Sequence, residues 1–221
     1  MLQVKVFVFS PIQENTYLVY NETGDALIID PGCYFGAEQE QLQQFCIDKS
    51  LTPVQLLNTH CHLDHVFGNK WVAKTYGLEL YTHPNEQKVL EFAPISGQKW
   101  GLPFENYKGP VHFLHEGDTI HLGNDKLTVI EAPGHSPGSI CFYCAAQNFI
   151  ISGDVLFRES IGRTDLPGGD HETLLNSIRK KMYCLPDETV VYSGHGMPTK
   201  IGHEKNTTHS SKVKAGLFDR P

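Results

Sequence analysis

Long hydrophobic runs are missing from this chain of 221 residues. No stretch nears the roughly 18 uninterrupted apolar residues of a membrane helix, so no span is expected. The opening Met1-Leu2-Gln3-Val4-Lys5-Val6 alternates like a strand and lacks the charged-then-apolar pattern of a secretory signal. A soluble, cytoplasmic protein is the expectation, with no membrane partner. Blocks of like charge are also missing, and 18 Lys+Arg stand against 25 Asp+Glu. Nucleic-acid affinity rests largely on Lys and Arg displacing counterions, so an acidic chain without a basic run predicts no nucleic-acid partner. Cysteine is sparse: six residues at irregular spacing. A chain this long needs no staples, and free thiols in a reducing compartment are expected. Cys141 and Cys144 resemble half a zinc knuckle, but they lie in an apolar strand whose residues three apart face opposite ways, and no second pair follows.

What the chain does have is apolar composition, 40%, enough for a sizeable core, and periodicity. Alternation predicts strands over residues 2–8, 16–20, 26–29 and 54–57, with a helix over 37–50 between the last two. A helix over 66–76 ended by Gly77, a strand over 79–82 and a helix over 85–92 follow. Residues 93–110, rich in Gly and Pro, read as a long surface excursion of the kind that lines a cleft. Strands are expected again over 111–114, 119–122, 126–131, 139–145, 148–152 and 189–193. A Gly-rich loop at 162–170 leads into a helix over 171–184 with Asp170 as its N-cap. Two blocks of strands, each accompanied by helices, suit an α+β fold of two face-to-face sheets with helices outside. One domain over residues 1–204 and a short polar tail over 205–221 are expected.

Histidine is abundant, 12 in all. Seven of these, at 83, 112, 115, 121, 171, 203 and 209, have no patterned neighbours and read as surface or core residues. The other five fall in a repeated layout of apolar strand, turn and potential ligand. Leu56-Leu57 leads to His60, His62, Asp64 and His65, and Val129-Ile130 leads to His135. Ile150-Ile151 leads to Asp154, and Val190-Val191 leads to His195. Ligands at strand ends converge on one sheet edge, and the adjacent glycines permit the tight backbone this needs. His60 and His62, two apart, project the same way, whereas Asp64 and His65 are shifted toward a neighbouring position. Seven nitrogen or oxygen donors exceed the three protein ligands a single catalytic zinc takes. They suit two cations, with Asp154 the carboxylate able to bridge. Cys61, alternating away from both histidines, reads as packing.

Thr59-His60-Cys61-His62-Leu63-Asp64-His65, Pro133-Gly134-His135-Ser136-Pro137-Gly138-Ser139, Ser152-Gly153-Asp154 and Ser193-Gly194-His195-Gly196 together resemble the signature of the metallo-β-lactamase superfamily over about residues 1–200. The resemblance implies an αββα sandwich of two mixed β-sheets with the site along one edge. It implies His60, His62 and His135 on one metal, Asp64, His65 and His195 on the other, and Asp154 bridging. β-Lactamases of this superfamily usually carry Cys or Ser where Asp154 stands, while Asp is typical of glyoxalase II-like hydrolases. Gly162-Arg163-Thr164-Asp165 with Gly169-Asp170 is similar to a loop of their short bacterial members. Full-length glyoxalase II carries a helical C-terminal domain that contacts glutathione. About 26 residues follow His195, too few for that domain, so the resemblance does not assign the glutathione site.

Two divalent cations about 3.5–4 Å apart ionise a bridging water and polarise a carbonyl. A thiol, with a pKa near ~8.5, leaves as thiolate with little acid assistance, whereas an amine needs a proton donor. Asp64 is the candidate donor near the cations. The expected activity is thioester hydrolysis of S-2-hydroxyacylglutathione by a metal-bridging hydroxide, with Asp64 and Asp154 catalytic. Arg158 and Arg163 are candidates to clamp a substrate carboxylate, with an Arg163–Asp165 pair ordering the loop as the plainer reading. The alternatives are a persulfide dioxygenase, which by resemblance uses one iron on His60, His135 and Asp154, or a lactonase of the same superfamily. Two divalent ions, zinc first and iron or manganese next, match the imidazole and carboxylate donors.

Overall fold

The computed structural model describes residues 1–207. A first sheet is formed by β1 (Gln3–Phe9), β2 (Glu14–Tyr20), β3 (Asp25–Ile29), β4 (Thr52–Leu57), β5 (Leu80–Thr82) and β6 (Val111–Phe113), in that spatial order. Its first two pairings are antiparallel and the rest parallel. The second sheet comprises β7 (Thr119–Leu122), β8 (Asp125–Glu131), β9 (Ile140–Cys144) and β10 (Phe149–Gly153). After a small ribbon of β11 (Leu156–Phe157) and β12 (Ser160–Ile161), it is completed by β13 (Val190–Ser193) and β14 (Thr199–Lys200). Here β10 and β13 pair in parallel and the remaining neighbours antiparallel.

Strand alternation sorts side chains into three layers. Val19, Leu27, Ile29 and Leu57 face Val129, Ile140, Phe142 and Ile151 between the sheets. The opposite face of the first sheet, with Leu18, Ile28 and Leu56, packs on α1 (Gly36–Asp48), α2 (Leu63–Val66), α3 (Asn69–Tyr76) and α4 (Gln87–Lys99). The opposite face of the second, with Cys141, Ile150 and Val191, packs on α5 (His171–Lys180) and α6 (Ile201–Thr207). This is the expected αββα sandwich. Cys141 and Cys144 fall in different layers, so the half-knuckle cannot close on one ion.

The Gly- and Pro-rich excursion is shorter than expected, because α4 runs through Pro94 to Lys99. A proline inside a helix deprives the carbonyl four residues back of its donor. Here that carbonyl, on Leu90, takes the Asn106 Nδ2 proton at 2.6 Å instead. Residues 100–110 thus brace the helix they leave. The helix expected over 66–76 is broken into α2 and α3 around Gly68, whose N–H bonds Pro31 O at 2.7 Å. The α5 N-cap is Asp170, accepting from the Thr173 N–H at 2.7 Å. Residues 205–207 finish α6, and residues 208–221, His209 included, lie outside the described residues. Among the described residues no helix is long and apolar enough to cross a membrane.

Candidate metal centre

The four loops that follow β4, β8, β10 and β13 lie at one edge of the sandwich, and their donors meet. The ligand atoms of His60, His62 and His135 lie within 4.8 Å of one another, as do those of Asp64, His65 and His195. Asp154 reaches both groups: Oδ2 is 3.5 Å from His135 Nε2 and 3.6 Å from His195 Nε2, and Oδ1 is 3.4 Å from His65 Nε2. Gly194 makes room for this, since a Cβ there would stand 2.0 Å from Asp154 Oδ1. Gly134, at φ +133°, likewise passes so close to the start of α5 that a Cβ would meet Leu174 N at 2.2 Å.

The rings are oriented by oxygens behind them. His135 Nδ1 donates to Arg163 O at 2.7 Å and His195 Nδ1 to Gln13 O at 3.1 Å. The Thr59 hydroxyl donates to Asp30 Oδ2 at 2.5 Å, which leaves its lone pair for His60 Nδ1–H at 3.2 Å. His65 Nδ1 lies 3.1 Å from the same Asp30 oxygen. For His60, His135 and His195 this turns Nε2 inward, as metal-ligating imidazoles require. His60 Nε2 and His135 Nε2 then face one another at 3.2 Å, and His62 Nδ1 is 2.9 Å from the latter. Nitrogens about 2.0–2.1 Å from a tetrahedral ion would be about 3.3 Å apart. His65 Nε2 and Asp154 Oδ1 are fully buried with no hydrogen-bond partner. Buried polar atoms left this way are costly unless something fills the gap between them. The donors fit divalent cations.

Charge divides the site. Burial pushes the His60 and His62 imidazoles down, aided by neighbouring rings, with His62 at about 3. Burial also lowers His135, against the pull of Asp154. It opposes charge on His65 too, but Asp64, Asp154 and Asp30 outweigh it and hold that ring well above the usual histidine range. For His195 burial is likewise outweighed, by Asp154 and Asp64. Despite burial, His65 and His195 draw the Asp64 carboxyl down to about 2.

Several supporting residues carry no sequence motif. Glu86 is fully buried; its Oε1 accepts from Ser136 Oγ at 2.6 Å and Gly138 N at 2.7 Å, and its Oε2 from Cys61 N at 2.8 Å. It therefore pins the loop carrying His60 and His62 to the loop carrying His135. Burial raises its carboxyl in spite of these donors. Asp30 ends β3 as the ligand segments end theirs, so an apolar strand followed by Asp-Pro-Gly was the available signal. It sits at φ +49°, a strained conformation for a side-chain-bearing residue, and also accepts from Thr59 N at 2.7 Å. Asn15 and Tyr17 on β2 hold the His195 loop: Asn15 Nδ2 donates to Ser193 O and Gly196 O, both at 2.9 Å, and the Tyr17 hydroxyl to Ser193 O at 2.5 Å.

The arginines separate. Arg163 lines the cleft over the centre, with its guanidinium doubly bonded to Asp165 at 2.7 and 2.6 Å. Arg158 is exposed and outside the cleft lining, so its expected clamp has no geometric basis. Cys61 is buried among apolar residues, as its alternation implied. Away from the centre, His83, His115 and Glu131 approach one another. There His83 Nδ1 accepts from Asn85 N at 3.2 Å, so Nε2 carries the proton and donates to Glu131 at 3.2 Å. That leaves Nε2 no lone pair for a metal.

The family description Metallo-beta-lactamase superfamily matches residues 10–195. The chain belongs to the metallo-beta-lactamase superfamily. It is 40% identical over 197 residues to the probable metallo-hydrolase YqgX of Bacillus subtilis, covering 89% of this chain and 91% of the relative. It is 36% identical to the hydroxyacylglutathione hydrolase GloC of Haemophilus influenzae, covering 93% and 96%. Among solved structures, the BLEG-1 B3 metallo-beta-lactamase is similar at TM-score 0.85 and 40% identity, covering 92% of this chain and 97% of that one. TTHA1623 in a di-iron-bound form is similar at TM-score 0.83 and 38% identity, covering 92% and 98%. The superfamily assignment makes this chain a metallo-hydrolase in kind.

Proposed function

We propose that the protein is a binuclear metal-dependent thioesterase that hydrolyses S-2-hydroxyacylglutathione. The observation that carries this reading is Asp154, one carboxylate within 3.6 Å of both donor groups. His60, His62 and His135 would hold one cation and Asp64, His65 and His195 the other, with Asp154 shared. Held there, two divalent cations supply Lewis acidity and a water ionised at neutral pH. Zinc leads for an imidazole and carboxylate set, with iron or manganese also compatible; the di-iron-bound relative keeps iron in view.

The chain's own residues bind and orient. Arg163 O, Gln13 O, Thr59 and Asp30 fix the imidazoles, and the cleft above receives the acyl carbon. A thiol leaves as thiolate, so no dedicated acid is required of the lining. Arg163, already on Asp165, is a loop-ordering residue first. The GloC relative supports glutathione as the thiol portion. The partner proposed is a small thioester, without nucleic acid or membrane, and cysteines free of disulfides support a reducing compartment such as the cytoplasm.

The test is turnover of S-lactoylglutathione by purified, metal-loaded protein, with elemental analysis per chain. Thiol release well above that of free metal, with about two metals per chain, is expected. No turnover overturns the thioesterase reading; oxygen uptake with glutathione persulfide at one iron per chain would replace it with the dioxygenase.

A further inference from the structure

The cleft over the centre encloses about 1160 Å³, far more than a lactoyl group fills. One wall is a helical stripe on α4 and its C-terminal end: Val89, Phe92, Ser96 and Trp100, spaced three to four residues apart so that they share one face. Phe92 and Trp100 are each about half exposed, at 49% and 54%. Large aromatics left open beside a reaction centre are unusual unless something covers them. The lining also takes in Ile12, Phe157 and Leu166 from three separate loops and strands. Among the described residues, Lys88 at the start of the stripe makes no ion pair, and the lining's other cation, Arg163, is engaged by Asp165.

A lining this apolar, with one uncommitted cation, matches a ligand with a greasy arm and a single carboxylate near it. Glutathione is polar along its whole length, so the apolar part of a thioester must be its acyl group. Resting on the thioesterase reading, we propose that the cleft selects thioesters whose acyl group carries an extended alkyl or aryl arm, laid along the Val89–Trp100 stripe with a carboxylate of the thiol portion near Lys88. The lactoyl thioester, which lacks such an arm, would then still turn over well above free metal but less efficiently than its longer-armed homologues. Within the stripe, Asn106 Nδ2 satisfies the Leu90 carbonyl that Pro94 leaves without a donor.

The experiment needs no turnover. Calorimetric titration of the metal-loaded protein compares (methylthio)acetate with (heptylthio)acetate, which share the thioether and the carboxylate. Each fully buried methylene strengthens binding about fourfold, so burial of only part of the arm gives the heptyl compound an advantage of at least about tenfold. In the Phe92→Ala/Trp100→Ala double variant, whose half-exposed sites tolerate truncation, that advantage should fall below about threefold with metal content unchanged. An advantage under about fivefold in the parent protein, or one undiminished in the double variant, overturns the proposal. Failure of S-lactoylglutathione hydrolysis bears on the thioesterase reading alone, because this ratio is measured without catalysis.

Discussion

The two donor groups share a sheet edge and one carboxylate, but they are supported in different ways. His60, His62 and His135 have no carboxylate of their own, and burial keeps their rings neutral. Neutral oxygens, Thr59 Oγ1 and Arg163 O, orient the His60 and His135 rings, and Glu86 holds the backbone by tying Cys61 N–H to Gly138 N–H across two loops. Asp64, His65 and His195 instead contain a carboxylate, and Asp30 stands 3.1 Å behind the His65 ring. Glu14 is a further 3.9 Å from the same ring nitrogen. The first group is thus held by position and the second by charge. Removing one supporting carboxylate from each should therefore have separable consequences.

The largest effect should come from Asp154→Ala, which removes the element common to both. Charge stabilisation by a metal pair is worth several kcal/mol, so the variant should lose about 10³-fold in kcat/KM and bind less metal per chain. Normal activity at full metal content would dissolve the idea of a shared carboxylate. Next, chelation leaves buried Asp30 and Asp64 and the partly buried Asp154 with only the His65 and His195 rings as counter-charges. Metal at about a thousand times its Kd contributes about 4 kcal/mol. The stripped protein should accordingly melt about 8–16 °C lower, and an unchanged melting point would argue against any bound cation.

The sharpest comparison pairs Asp30→Asn with Glu86→Gln. Outer-shell partners typically account for about 10–100-fold in metal affinity. In a two-step metal titration, Asp30→Asn should weaken most, by that amount, the step filled by Asp64, His65 and His195, through the ring of His65, and the other step less, through Thr59 and His60. Glu86→Gln should weaken the other, because an amide presents a donor to one of three donors that Glu86 now accepts. If both variants weaken the same step most, the division between position and charge is wrong.

These supports were the least legible part of the chain, and the reason is physical. A ligand at a strand end leaves a local trace, because the strand is apolar, the turn needs glycine and the donor is a histidine or aspartate. All seven predicted donors accordingly meet at one edge. Glu86 leaves no such trace: its partners lie 25, 50 and 52 residues away, and its burial contradicts what its side chain prefers. The continuation of α4 past Pro94 was illegible for the same reason, since the side chain that relieves Leu90 O comes from Asn106. Arg158 illustrates the converse: a clamp expected from the sequence falls on an exposed side chain that does not line the cleft.

The smallest effect tests whether the second sheet's ligand loop is held mainly by its own group or by the first sheet. The Tyr17 hydroxyl reaches across from β2 to Ser193 O, two residues before His195. Tyr17→Phe removes that bond but leaves the carbonyl the Asn15 Nδ2 proton at 2.9 Å, so no buried acceptor is orphaned. The ring contact with Tyr192, at 5.7 Å between centroids, is kept. The loss should stay near the net value of a single hydrogen bond, about 0.5–1.5 kcal/mol, or a few degrees of melting temperature. Metal affinity should not change, because Asn15 N–H to Gly194 O at 2.7 Å and His195 Nδ1 to Gln13 O still place the imidazole. A weakened metal titration step would mean that the hydroxyl sets the position of His195, and that the group held by charge depends on a backbone clasp as well.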